Sequence, residues 1–174
     1  MSNVRVIRAP AGEGDPGFDH RAGVVAETVG AEYLALQLVR IQPGVRTQAH
    51  EHVGHEAAGY VLEGELVVWF GEGMEKHVTA RPGDFVYIPA DEPHVLASYT
   101  EREAVVLIAR ADPAAQETLK NRPELDRLAH LLQPPSKLPP PRAPRRTSTR
   151  ATRPPATCSR ASSSSGSAKG WRST

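Results

Sequence analysis

Three of the seven histidines lie within six positions of one another, and a fourth lies further along the chain. His50 and His52 are separated by one residue, so on a β-strand both imidazoles project from the same face. His55 follows closely, and His94 comes after Pro93 in a loop from which a returning strand could bring it beside the pair. Neutral imidazole suits Zn, Fe, Ni and Cu. The sequence therefore predicts a site for one divalent transition metal ion.

Short β-strands are the elements that must position these histidines. In the segment 33–41, Leu34, Leu36 and Leu38 share one face, the period-2 pattern of a half-buried strand. Further short runs of β-branched and aromatic residues follow, separated by turns rich in glycine and proline. Many short strands at about ten-residue spacing predict an all-β sandwich or barrel and argue against alternating strands and helices.

Two ordered motifs surround the histidines. The first contains Gly44, His50, His52, Glu56 and the run Tyr60-Val-Leu-Glu-Gly64, and the second runs from Gly83 through Pro89 to His94, with Ser98 four residues later. Together they resemble the two motifs of the cupin family, in particular its small bacterial single-domain members. The resemblance implies a double-stranded β-helix, or jelly-roll, barrel. It also implies a metal ion held by His50, His52, His94 and one further motif-one carboxylate or amide.

The identity of that further ligand stays open between two residues. Ala57 occupies the position that the motif spacing assigns to it. Glu56 has the right chemistry and lies four positions after His52, a spacing that the family also uses. His55 shares a strand face with Ala57, whereas Glu56 would point to the other face unless a bulge intervenes. Both His55 and Glu56 are therefore candidate metal ligands.

Two positions of the second motif depart from the family pattern. Asp91 stands in place of a glycine, and Ser98 in place of an asparagine. Because aspartate tolerates a left-handed turn conformation, we expect Asp91 to preserve the loop. We expect Ser98 to have a structural role.

The charge distribution divides the chain. From Gln133 onward there are nine basic residues and no acidic ones, which leaves 12 basic and 20 acidic residues in the first 132 positions. We predict an N-terminal arm or edge strand over 1–24, a barrel over 25–112 and a short helical segment over 113–132. Residues 133–174 form a Pro-, Ser- and Arg-rich tail with almost no large apolar residues, for which we predict disorder.

Composition limits the possible partners and locations. No apolar run is long enough for a membrane span, and the first residues contain no apolar stretch typical of a signal peptide. With Cys158 as its single cysteine, the chain is expected to be cytoplasmic. We expect a homodimer, because related cupins pair through their sheets, and we do not expect nucleic acid as a partner.

The function implied by the resemblance is that of a metal-dependent enzyme acting on a small oxygen-bearing organic molecule. A dioxygenase-type reaction is placed ahead of an isomerase or cyclase, and the metal is Fe, Mn, Zn or Ni. The alternative is a non-catalytic cupin module that binds a metal ion and a small ligand. The sequence identifies no catalytic residue beyond the candidate metal ligands.

Overall fold

The computed structural model describes residues 4–8, 16–114, 118–128 and 133–134. These residues form ten strands, a one-turn α-helix, α1 (Ala26–Val29), and a 3-10 turn over Leu125–Arg127. The strands are β1 (Phe18–Val24), β2 (Ala35–Ile41), β3 (His50–His52), β4 (Ala57–Glu63), β5 (Leu66–Phe70), β6 (Lys76–Ala80), β7 (Phe85–Ile88), β8 (His94–Ala97), β9 (Ala104–Arg110) and β10 (Leu119–Asn121). In the part of the chain described, no helix is long and apolar enough to cross a membrane.

The strands form two five-stranded antiparallel sheets. The first sheet has the order β1-β2-β9-β4-β7, and the second has the order β10-β3-β8-β5-β6. Buried side chains from both sheets meet in one core, in which Val39, Val61 and Val106 of the first sheet join Leu66 and Leu96 of the second. This arrangement confirms the predicted all-β jelly-roll architecture.

Buried and more exposed side chains alternate along β2 and β4, and this alternation determines which residues face the interior. In β2, Ala35, Gln37, Val39 and Ile41 are buried, whereas the residues between them are half-buried. The leucines of the predicted apolar face therefore lie on the outside of the first sheet. Since side chains of a strand alternate between its faces, one buried position, Gln37, brings a polar group inside.

The turn at Gly64, between β4 and β5, requires glycine. Its φ of +72° is in the left-handed region, and a Cβ atom added there would lie 2.0 Å from the carbonyl oxygen of Glu103. A larger residue would therefore push two backbone segments apart. This turn carries the chain from the first sheet to the second.

The stretch 113–132, predicted to be helical, contributes a strand and a 3-10 turn in its described residues. β10 pairs with β3, so that Leu119 lies opposite His52 and Asn121 opposite His50. The Glu51 carboxylate of β3 accepts hydrogen bonds from Lys120 Nζ and the Arg122 guanidinium. The segment forms a strand instead of a helix because β3 would otherwise be an edge strand with unpaired backbone N–H and C=O groups. The predicted disordered tail lies almost entirely outside the described residues.

Candidate metal centre and its cavity

Strand register brings His50, His52 and His94 together. His50 and His52 lie on β3, and His94 begins β8 directly opposite His50. The imidazole centroids of His50 and His94 are 4.3 Å apart, and those of His52 and His94 are 4.9 Å apart. One ring nitrogen from each residue lies within 4.8 Å of the other two. All three side chains are buried, so they form a compact group of donors inside the barrel.

Backbone carbonyls fix the orientation of two of these rings. His50 Nδ1 lies 2.8 Å from the Gln48 carbonyl oxygen, and His94 Nδ1 lies 2.8 Å from that of Glu92. In the tautomer that donates these hydrogen bonds, Nε2 carries the lone pair that a metal ion needs. Among the described residues, neither ring nitrogen of buried His52 has a hydrogen-bond partner. A buried polar atom without a partner is costly, so this donor set fits a metal ion.

Burial holds the three imidazoles in the neutral form. It lowers the pKa of His52 to about 2, with smaller contributions from the charges of Arg110 and the neighbouring histidines. Burial and the His50 charge lower the pKa of His94 to about 3, and burial also lowers the pKa of His50. Because only unprotonated imidazole binds a metal ion, the group is in the ligating state at neutral pH.

His55 and Glu56 lie outside this three-histidine group. The His55 ring stacks on His52 at a centroid distance of 5.1 Å, and its Nδ1 lies 3.1 Å from the Val53 carbonyl oxygen. Glu56 is exposed on the outer face of the first sheet, where its carboxylate accepts a 2.7 Å hydrogen bond from the Tyr87 hydroxyl. The structure therefore brings His55 beside the group and turns Glu56 away from it.

Asp91 ties the loop before His94 to the turn after His52. Its φ is +60°, the left-handed conformation expected at a position where the family has glycine. The Asp91 backbone N–H donates to the His52 carbonyl oxygen at 2.9 Å, and its carboxylate accepts from the Gly54 N–H at 2.9 Å. Ser98 is buried and donates to the Arg102 carbonyl oxygen, in keeping with a structural role. These contacts hold the two histidine-bearing segments in register.

The three histidines open onto a cavity of about 480 Å³ between the sheets. Apolar side chains from both sheets form much of its wall, whereas Glu56 and His55 do not contribute to it. Its polar lining consists of His20, Arg46, Thr47, Gln48, His50, His52, His94, Arg110 and Asn121. The volume is in the range typical of small-molecule sites.

Sequence reasoning missed Arg110 and His20 as cavity residues. Arg110 ends β9 and is buried, in the same alternation as Val106 and Ile108. This alternation was the signal in the sequence that could have identified Arg110, because a basic residue on the buried face of a strand points inward. His20 lies on β1, and its Nε2 is 2.7 Å from the Gln37 side-chain oxygen. Only the pairing of β1 with β2 brings this histidine to the interior.

Residues 37–109 match the sequence model of a protein family described as the cupin domain. The match begins within β2 and ends within β9, so it includes the three clustered histidines and the Gly64 turn. No curated protein sequence matches the chain.

Solved structures of several enzymes have a similar fold. Oxalate decarboxylase of Lactobacillus farciminis, as a formate complex, superposes with a TM-score of 0.56 at 16% identity, covering 66% of this chain and 33% of that chain. Bacillus subtilis oxalate decarboxylase, with Mn(II) centres, gives 0.55 at 17%, covering 64% and 29%. A sugar phosphate isomerase from a cupin superfamily of Silicibacter pomeroyi gives 0.48 at 22%, covering 60% and 71%. The chain spans about a third of the length of the two oxalate decarboxylases, and at these sequence identities the likeness to them shows a shared fold alone.

Proposed function

We propose that the protein, whose residues 37–109 match the cupin-domain family, is a metal-dependent enzyme acting on a small oxygen-bearing organic molecule. His50, His52 and His94 are its metal ligands. The observation that carries this proposal is the convergence of three buried, neutral imidazoles at the wall of a cavity of about 480 Å³. The Mn(II) centres of a structural neighbour support the capacity of the fold for metal chemistry.

The ligand set bears on which ion is bound. Of the predicted candidates Fe, Mn, Zn and Ni, an all-imidazole set suits Zn, Fe and Ni better than Mn, which prefers oxygen ligands. A bound ion of this kind supplies Lewis acidity and open coordination positions for an oxygen-bearing ligand. The outward position of Glu56 argues against a motif-one carboxylate ligand. We therefore favour three protein ligands, with His55 as a ring stacked behind His52.

The protein's own residues orient and enclose the reactants. The backbone hydrogen bonds at Nδ1 of His50 and His94 hold these rings so that Nε2 is the ligating nitrogen. Val39, Leu66 and Val106 contribute apolar wall to the cavity and limit the water beside the histidines. Exclusion of water from this wall strengthens any electrostatic contact that the protein makes to a bound molecule.

Among reaction types, we place dioxygen-dependent oxidation ahead of isomerisation or cyclisation. Acid–base isomerisation needs a side chain of suitable pKa that can reach the substrate proton. Among the described residues that line the cavity there is no carboxylate, and the one imidazole outside the proposed ligand set is His20. The rival proposal is a non-catalytic module that holds a metal ion and a small ligand in the same cavity.

Dioxygen consumption by tag-free protein reconstituted with Fe(II) separates these functions. The protein would be tested against a panel of small oxygenated metabolites, with the His52→Ala variant in parallel. The control variant is His77→Ala, at an exposed position of β6 that does not line the cavity. An oxygenase consumes dioxygen with at least one compound, loses this activity in His52→Ala and keeps it in His77→Ala. Binding of a panel compound with neither oxygen uptake nor product would support the non-catalytic module.

We further propose that two copies pair through the outer face of the first sheet. The rings of Tyr60 and Phe85 are in contact there, tilted by 47° at a centroid distance of 4.7 Å, and Leu62, Phe85 and Tyr87 are exposed. Neighbouring exposed aromatic and aliphatic side chains of this kind are typical of protein interfaces. We also propose a cytoplasmic location, as expected from the sequence.

A further inference from the structure

One imidazole of the cavity wall lies outside the three-histidine group. His20 is on β1 of the first sheet and lines the cavity, which the three-histidine group borders from the second sheet. The charge of Arg110 contributes to the lowered pKa of His20 and to that of each histidine in the group. All four imidazoles therefore lie close to the same residue, and His20 borders the part of the cavity that adjoins the three histidines.

A buried glutamine determines which nitrogen of His20 can accept a proton. His20 Nε2 lies 2.7 Å from the side-chain oxygen of Gln37, a residue of β2 that is 1% exposed. Because an amide oxygen only accepts hydrogen bonds, Nε2 carries the proton in this arrangement and Nδ1 carries the lone pair. Gln37 does not line the cavity, so it acts on a bound molecule only through His20. The hydrogen bond occupies Nε2 and leaves Nδ1 for a molecule in the cavity.

Burial keeps the His20 ring uncharged at neutral pH. It lowers the pKa of His20, a shift that the hydrogen bond to Gln37 and the charge of Asp19 oppose and the charge of Arg110 reinforces. Asp19 itself is paired with Arg21 at 2.8 Å. The neutral ring is a weak base, and a weak base takes a proton only from an acidic group. The hydroxyl of a phenol or an enol meets this condition, whereas that of an ordinary alcohol does not.

The wall around His20 suits a molecule with an apolar body. The Phe18 ring lies nearly parallel to the His20 ring, with 6° between the planes and 6.4 Å between the centroids, and it lines the cavity. Val39, Leu66 and Ile108 add aliphatic surface. Against this wall a polyol would bury hydroxyl groups without hydrogen-bond partners, which is costly. A ring or chain with one or two hydroxyl groups avoids that cost.

We propose that Nδ1 of His20 accepts the proton of a substrate hydroxyl group, so that the protein acts on a small phenol or enol. The O–H bond breaks, an N–H bond forms at Nδ1, and the oxygen keeps the electron pair as an oxyanion. Gln37 is a positioning residue that holds the tautomer of His20. The oxyanion needs positive charge nearby, which the proposed metal site supplies. The proposal rests on the proposed function for that charge, whereas the hydrogen bond from the hydroxyl to Nδ1 requires no metal ion.

Nitrogen NMR of the full chain, labelled with nitrogen-15 histidine, tests the tautomer. The His20 resonances are identified as those lost in His20→Gln, and at neutral pH Nδ1 should give the signal of an unprotonated nitrogen. Gln37→Leu should shift the ring toward the mixture of tautomers found in free imidazole. A protonated Nδ1 in the wild type would overturn the proposal, because it would show that the Gln37 amide nitrogen donates to Nε2.

Calorimetric titration then measures the preference for a hydroxyl group. The probes are phenol and 4-nitrophenol, each compared with its methyl ether, in Zn-loaded and in chelator-stripped protein. We expect each phenol to bind roughly 3- to 10-fold more tightly than its ether. In Zn-loaded wild type the absorbance of bound 4-nitrophenol should be that of the anion, with no proton released to the buffer. In His20→Gln, whose amide can pair with Gln37 but cannot take up a proton, the bound probe should stay protonated or release its proton to the buffer.

The pH dependence separates this role from a merely structural one. The preference for phenol over ether should fall as the pH drops below about 6.5, because a protonated Nδ1 cannot accept a hydrogen bond. Gln37→Glu places a carboxylate on Nε2–H and raises the pKa of His20, so the same loss should occur at higher pH. If His20→Gln fails to fold, this shift in Gln37→Glu decides the question.

The matched control is His77→Gln, at an exposed position of β6 that does not line the cavity, and it should behave as wild type. Absence of phenol binding, equal binding of phenols and ethers, or proton release by wild type equal to that of His20→Gln would overturn the proposal. A His20-dependent preference for phenols in protein that takes up no metal ion would defeat the proposed metal function while this site stands. Zn-loaded protein without that preference would do the reverse.

Discussion

The outer faces of the two sheets are covered differently. On the second sheet, Val67, Trp69 and Val95 are buried in a cluster with Leu125 and Leu128 from the C-terminal segment. On the first sheet, Phe85 is 81% exposed, Tyr87 62% and Leu62 42%. The chain therefore covers the sheet that carries the three histidines with its own residues, and leaves apolar surface on the other. Packing on both faces restricts motion of β8 and so helps to hold the geometry of the histidine group.

The inner faces differ in chemistry as well. The second sheet contributes the three neutral imidazoles, and the first contributes Arg110, Gln37 and His20. The two walls of the cavity therefore differ, with three neutral imidazoles on one side and Arg110 and His20 on the other.

Removing the cover of the second sheet should have the largest effect on stability. Leu125→Ala removes a buried side chain from the cluster that contains Trp69 and should lower the free energy of unfolding by about 2–4 kcal/mol. Leu62→Ala, at an exposed position of the first sheet, is the matched control and should cost less than about 0.5 kcal/mol in dilute protein. Urea unfolding followed by Trp fluorescence measures both. Equal losses in the two variants would show that the sheets are not covered differently.

The exposed face of the first sheet predicts a change of oligomeric state. A lysine in place of Phe85 puts charge in the centre of the proposed interface, so Phe85→Lys should convert a dimer into a monomer without loss of fold. Val78→Lys, at an exposed position of β6 in the second sheet, should leave the dimer intact. Light scattering at micromolar concentration reports the mass. Wild-type protein that is monomeric under these conditions would contradict the proposed interface.

The smallest effect is expected at the two residues left open by the sequence. Glu56→Gln should leave metal content unchanged, because the carboxylate lies on the outer face with Tyr87. His55→Ala should also retain close to one ion per chain, with affinity reduced at most modestly through the lost stacking on His52. Metal analysis after dialysis against a weak chelator compares the two. Loss of the ion in either variant would identify that residue as a fourth ligand.

The sequence was sufficient to predict the all-β barrel, because alternation and turn residues are local signals. It was also sufficient to group His50, His52 and His94 as one candidate site, since strand parity and two spaced motifs indicate a shared face. Their meeting in the structure depends on the pairing of His50 with His94 across β3 and β8. This pairing joins residues that are far apart in the sequence. It was predicted from the resemblance of the two motifs to the cupin family, because no local sequence pattern indicates it.

Features that depend on long-range pairing were not accessible in the same way. The strand β10 forms because β3 offers an open edge, which no pattern within residues 119–121 reveals. His20 and Gln37 meet only through the register of β1 and β2. Leu36 and Leu38 of β2 formed the more obvious apolar face, yet the opposite face is buried, where Val39 and Ile41 pack in the core beside the polar Gln37. Hydrophobic alternation determines two faces and leaves the choice between them to tertiary packing.

The metal content of tag-free protein is the direct test of the three-histidine metal centre. We predict close to one divalent transition ion per chain by mass spectrometry, and loss of most of it in the double variant His50→Ala/His94→Ala. His77→Ala serves as the surface control, and thermal unfolding of each variant verifies the fold. A folded double variant that still holds one ion per chain, or wild-type protein that takes up none of Fe, Mn, Zn or Ni, would contradict the three-histidine centre.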